Sequence, residues 1–159
     1  AEVAALAAQR RSRADLRRIG KAVAALEAAV LAGRDGVEED VLFHRSIAEA
    51  ARYPFLIGTL DYVSQFLRGA TRVTRAHEAR RADFALQVRA EHAAIVEAIQ
   101  QADPIQARQA AGNHMNNAIR RITSAEPGFW RQEGERLAQP LVAGLSPTRP
   151  HPAASGKSG

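Results

Sequence analysis

Cysteine is absent from the chain, which excludes a disulfide scaffold, a thiolate metal site and a cysteine nucleophile. No stretch approaches the roughly 18 uncharged apolar residues that a membrane-spanning helix needs. The opening AEVAALAAQRR places its acid before its basic residues, the reverse of a secretory signal, and reads as part of a helix. These features fit a cytoplasmic protein with no membrane partner. Methionine occurs only at Met115 and the chain begins at Ala1, which fits a processed or excised product. Lysine is confined to Lys21 and Lys157, so the formal net charge of +5 rests almost wholly on arginine. Such a charge admits an acidic ligand, but without a basic helix or a DNA-reading motif it does not make a nucleic-acid binder.

What is present is helix. The 159 residues are 46% hydrophobic and 25% charged, ordinary for one soluble domain. Apolar residues recur at helical spacing almost throughout, and alanine is abundant. Residues 1 to about 9 look like the end of a first helix. Ser12 followed by Asp15 resembles a capping box with Asp in place of Glu, opening a stripe of Leu16, Ile19, Val23, Leu26 and Val30 that stops at the GRDG turn, 33–36. A third helix is expected over Val37–Arg52 and a fourth from Pro54 to about His77. A fifth is expected over Ala79–Gln101, a sixth opens at Asp103-Pro104, and a short seventh lies around Trp130 to Leu137. The expectation is an all-α antiparallel bundle of six or seven helices with a central metal or ligand cavity, residues 1–139. From Pro140 onward, residues 140–159 are rich in Pro, Gly, Ser and Ala and are expected to be a disordered tail.

The chemistry-bearing anomaly is where histidines fall. His77, near a helix end, and His151, in the tail, are expected to do nothing chemical. His44, His92 and His114 instead lie on or beside the apolar stripes of the third, fifth and sixth helices. Each buried imidazole needs partners for its ring nitrogens. Asp40 lies one turn before His44 on the same face, where a carboxylate is costly unless paired or metal-bound. One aspartate and three histidines form a ligand set for a divalent metal, zinc first, with nickel or manganese as alternatives. A hydrogen-bonded polar core without metal is the plainer reading. An octahedral ion on four protein ligands would keep two positions for water or for a ligand oxygen. Arg68 and Arg72, which share a face, and Arg89, one turn before His92, are candidates to clamp a small carboxylate; as surface arginines they would be solvated and inert.

The runs DVLFHRSIAEAARYPFL at 40–56 and EHAAIVEAIQQADPIQARQAAGNHM at 91–115 resemble the C-terminal effector domain of the FadR subfamily of GntR-type bacterial transcription regulators. The resemblance covers about residues 1–124 and implies that Asp40, His44, His92 and His114 bind a divalent metal. It implies a homodimer, and a small organic acid such as lactate, citrate or a sugar acid as effector; acyl-CoA-binding relatives take a thioester. Operator DNA would be reached only through an N-terminal winged helix-turn-helix that lies outside this sequence. Tyr53 stands where the family often has Asn, so that corner is expected to differ.

Two rivals remain: a metal-dependent hydrolase, and a bundle that metal merely stabilises and dimerises. Hydrolysis needs a general base beside the metal. The nearest acids are Glu91, whose position next to His92 turns it away from that ring, and Glu97, which is poorly aligned. The expectation is therefore a non-enzymatic, metal-dependent sensor of a small carboxylate.

Overall fold

The computed structural model describes residues 1–131, and seven helices lie among them: α1 Glu2–Arg10, α2 Arg13–Leu31, α3 Val37–Ala50, α4 Pro54–Glu78, α5 Ala82–Gln100, α6 Pro104–Thr123 and α7 Pro127–Phe129. The fold is an all-α helical bundle, as the apolar periodicity predicts. The tail expected over 140–159, and most of the short helix expected from Trp130 to Leu137, fall outside the described residues.

Local signals start and stop these helices. Ser12 Oγ accepts from the Asp15 amide while the Asp15 carboxylate accepts from the Ser12 amide, so Asp completes the box in place of Glu. Asp103 accepts from the amides of Ile105 and Gln106, and Pro104 fills the first helical position, where no N–H is required. At the GRDG turn, Gly33 and Gly36 adopt φ of 73° and 68°. A Cβ on Gly36 would lie 3.0 Å from a Leu26 methyl and 3.2 Å from the Arg75 guanidinium, so both backbone and space demand glycine there. The fifth helix begins three residues later than expected, after a turn through Arg80, and its N-cap Arg81 makes no side-chain capping bond that would mark the start in the sequence.

Helix α1 packs against α3, α5 and α6, and α2 lies on α3. The face of α1 consists of Ala4, Ala5, Ala7 and Ala8, all buried, and side chains this small let neighbouring helices approach closely. Ile19, Phe43, Ile47, Ile95 and Ile99 complete the core from α2, α3 and α5. Burial of a side chain of this size contributes roughly 1.5–3 kcal/mol, and these residues fix the register that brings the polar stripe positions of α3, α5 and α6 together. A smaller cluster of Val73, Ala125 and Phe129 closes the far end. No described helix is long and apolar enough to cross a membrane.

Candidate metal centre

On α3 the buried stripe runs Val37, Asp40, Phe43, Ile47, Ala50, and His44 borders it one turn after Asp40. On α5 the stripe is Val88, His92, Ile95, Ile99; on α6 it is Ala107, His114, Arg121. Packing of the three helices gathers the imidazoles, with ring centroids 4.6 Å apart for His92 and His114, 5.3 Å for His44 and His114, which stack, and 5.6 Å for His44 and His92, which meet edge to face. Phe43 lies 4.7 Å from the His92 ring and 5.1 Å from that of His44, walling one side with hydrocarbon.

Each of His44, His92 and His114 offers a ring nitrogen within 4.8 Å of those of the other two. Asp40 reaches the same spot, its carboxylate oxygens 3.6 Å from His92 Nε2 and 4.0 Å from His44 Nε2. Donors about 2.0–2.2 Å from one ion would stand about 3.4 Å apart around a tetrahedral ion, and about 3 Å or, when opposed, about 4.2 Å apart around an octahedral one, so small side-chain adjustments suffice. His92 Nε2 is buried without a hydrogen-bond partner, an arrangement that proteins avoid and that a metal ion would satisfy. Desolvation holds the His44 and His92 imidazoles below their usual range. For His92 the neighbouring imidazoles, Arg75 and Arg121 push the same way; for His44 the charge of Asp40 opposes it. Both are therefore neutral at pH 7, the form that ligates metal.

A buried chain of alternating charge orients this cluster. Glu91 Oε2 accepts from His114 Nδ1 at 2.9 Å and Oε1 accepts from Asn117 at 2.7 Å. Arg121 donates to both Glu91 oxygens at 2.8 and 3.0 Å, and its Nε donates to Glu78 at 3.1 Å. Glu78 in turn lies 3.6 Å from Arg75, whose Nε donates to the Asp35 carbonyl at 3.0 Å. Burial alone would raise the Glu91 pKa, but hydrogen bonds from Arg121, Asn117 and His114 outweigh it and hold the carboxyl below its ordinary value. An ionised Glu91 only accepts, so in the neutral, metal-ligating imidazole the His114 proton belongs on Nδ1, which leaves the Nε2 lone pair for a metal.

Beside His92 a cavity of about 310 Å³ opens between α2 and α5, with Arg75 and Arg89 at its wall. Arg89 is mostly exposed and donates to Glu27, also in the lining, at 3.2 Å.

The FCD domain family matches residues 1–117 of this chain. The chain belongs to the FCD domain family. FCD domains are the C-terminal effector-binding, regulatory domains of GntR-family transcription regulators. Comparison with curated proteins gives no match.

The FCD domain thus brings His44, His92 and His114 into one cluster that can hold a metal ion, with Asp40 beside it. The arginines singled out in the sequence separate: Arg89 lines the cavity, Arg72 is half-buried on α4, and Arg68 is exposed and donates to Glu38 at 3.0 Å. Arg75, one turn beyond Arg72, reaches the cavity and was not anticipated. Neither was the role of Glu91, which does turn from His92, as its position implies, and finds His114 on the next helix instead. Arg121 carried a readable signal, being a cation two turns after His114 on a buried stripe that demands a counter-charge. At the corner before α4, Tyr53 is the N-cap and makes no side-chain capping bond, whereas an asparagine there has an oxygen able to do so.

Proposed function

We propose that this FCD domain senses a small organic acid at a divalent metal held by Asp40, His44, His92 and His114. Binding would modulate the grip of a winged-helix domain of the same regulator on operator DNA, with the regulator acting as a homodimer. Zinc suits the nitrogen-rich donor set best, and nickel or manganese would also be accepted. The observation that carries the reading is the partnerless buried Nε2 of His92, which faces the other donors while its ring borders a cavity holding two guanidinium groups. A divalent ion supplies a Lewis-acidic point for a carboxylate oxygen, and Arg75 and Arg89, each already paired with a glutamate, line the cavity beside it as hydrogen-bond donors. Sensing is favoured over hydrolysis because Glu91, the acid nearest the cluster that is not itself a proposed ligand, is committed to Arg121, Asn117 and His114. It has no free lone pair aimed at a water.

Elemental analysis of unchelated protein is expected to find close to one equivalent of transition metal, and His92→Ala should remove it and lower the melting temperature. A screen of organic acids by thermal shift, run on metal-loaded and on chelated protein, is expected to find stabilisation in the loaded sample alone. Less than a tenth of an equivalent of metal, or stabilisation that survives chelation unchanged, would defeat the proposal.

A further inference from the structure

The cavity beside His92 has a sided chemistry. Its walls are hydrocarbon, with Val23, Leu26, Val30 and Leu31 contributed by α2 and Leu86 and Val88 by α5. Among the described residues its polar groups are His92, Arg75, and the Arg89–Glu27 pair. Leu31 and Leu86 are 79% and 67% exposed, so hydrocarbon continues outward where a soluble protein would ordinarily place polar side chains.

Charge limits the occupant as well. Arg89 already carries Glu27 at 3.2 Å, and Arg75 has Glu78 at 3.6 Å. The two cations are thus largely balanced, and a divalent ion held by the Asp40 carboxylate keeps one net positive charge, so one added negative charge is what the site matches. A tricarboxylate would bring two further charges against Glu27 and Glu78. A sugar acid would bury several hydroxyls against walls whose described side chains are aliphatic and offer them no partner, and each unpaired hydroxyl opposes binding.

We infer that the effector is an amphiphilic monocarboxylate, its carboxylate at the His92–Arg75 end and a hydrocarbon or aromatic body along the α2–α5 wall. At about 30 Å³ for each water-sized group, the cavity of about 310 Å³ admits a ligand of about ten non-hydrogen atoms. This inference rests on the carboxylate-sensing reading above and narrows it to a class.

Calorimetric titration of the zinc-loaded chain with propanoate, butanoate, hexanoate, octanoate and 3-phenylpropanoate, and with citrate and gluconate, tests it. Affinity should rise about three- to fourfold for each methylene added until the cavity is filled, with 3-phenylpropanoate among the tight binders and citrate and gluconate weakest. The double variant Leu31→Gln/Leu86→Gln changes only exposed positions. It should weaken octanoate about tenfold and propanoate by much less, since the shorter chain ends nearer His92. Citrate or gluconate binding more tightly than every monocarboxylate would overturn the class while leaving metal-anchored sensing intact. A chain-length gain that persists in full in the double variant would also overturn it, by placing the hydrocarbon elsewhere. If no acid of any kind binds the loaded chain, the sensing reading itself falls and takes this inference with it.

Discussion

Glu91 on α5 accepts a 2.9 Å hydrogen bond from His114 Nδ1 on α6, and the same carboxylate is gripped at both oxygens by Arg121. An imidazole whose Nδ1–H is anchored in this way has its ring plane and tautomer fixed, and such outer partners commonly set the affinity of a metal site. Glu91→Gln should therefore weaken zinc binding about 10- to 100-fold and also cost about 3 kcal/mol of stability, because Arg121 loses a charged partner within the bundle. Glu78→Gln breaks the chain one link farther from His114. It should cost comparable stability and move zinc affinity by only a few-fold. Chelator competition and urea melts on both variants separate the effects; equal losses of zinc affinity would refute the orienting role of Glu91.

The chelated protein should lose stability as pH falls below about 6.5, the ordinary histidine value. Desolvation depresses the folded-state pKa of His44, His77 and His92, reinforced at His77 by Arg80, Arg81 and Arg121. Between those depressed values and 6.5 the unfolded chain binds more protons than the folded one, so the contribution is intact above 6.5 and erodes below it. Glu78, raised by burial despite Arg121 and Arg75, takes its proton first in the folded state and opposes the trend, one group against three. Urea midpoints in chelator that stay flat from pH 8 to 5.5 would contradict this.

Two helices end in the same hydrogen-bond pattern with different residues. After α2, Gly33 donates to the Val30 carbonyl and Arg34 to that of Ala29; after α5, Ala102 donates to Ile99 and Asp103 to Ala98. The left-handed position holds glycine at φ 73° in the first and alanine at φ 58° in the second. A left-handed conformation costs an ordinary residue about 1–2 kcal/mol, while the extra freedom of glycine when unfolded costs about 0.4–1 kcal/mol. Relief of strain therefore outweighs the added chain freedom. Ala102→Gly should raise stability by about 0.5–1 kcal/mol, the difference between those two costs, seen as a higher urea midpoint at unchanged m-value.

Helix α4 carries Phe55 and Tyr62 at 77% and 80% exposure, seven residues apart and so on one face. Helix α1, by contrast, buries its alanines inside the bundle. If the FCD domain self-associates, the aromatic face of α4 is the better seat. Phe55→Glu/Tyr62→Glu should shift light scattering toward the monomer with little change in melting temperature, and an unchanged dimer would move the interface elsewhere.

Much of the bundle could be read from punctuation. Ser12, Pro54 and the Asp103-Pro104 pair each mark a helix start by a local mechanism, and they do so where expected. The α4–α5 junction carries no such mark, since Arg81 caps nothing, and there the expected boundary is off by three residues. The histidines stood out because a stripe position is a property of one helix. The partners of those histidines did not, because Glu91 meets His114 only once the packing of α5 on α6 sets their relative register. Arg75 escaped for another reason: in a chain this rich in arginine, residue type carries no information, and Arg68, Arg72 and Arg75 are told apart only by what lies opposite them. His77, expected to be idle near a helix end, is buried, with its ring 5.5 Å from that of Phe84 and 5.0 Å from that of Phe129.

The linked charges running from His114 to Arg75 also constrain how the sequence can drift. Loss of Arg121 alone leaves two carboxylates facing each other inside the bundle, and loss of either glutamate leaves a guanidinium short of its counter-charge; each step is strongly destabilising. Replacing the whole trio with fitted apolar side chains would avoid both imbalances, but it would strip Arg75, His114 and Asn117 of the carboxylates they pair with, and every single-substitution route to it passes through one of those destabilised steps. Glu78, Glu91 and Arg121 therefore behave as one heritable character spread over three positions, to be kept together or exchanged together as the family diverges.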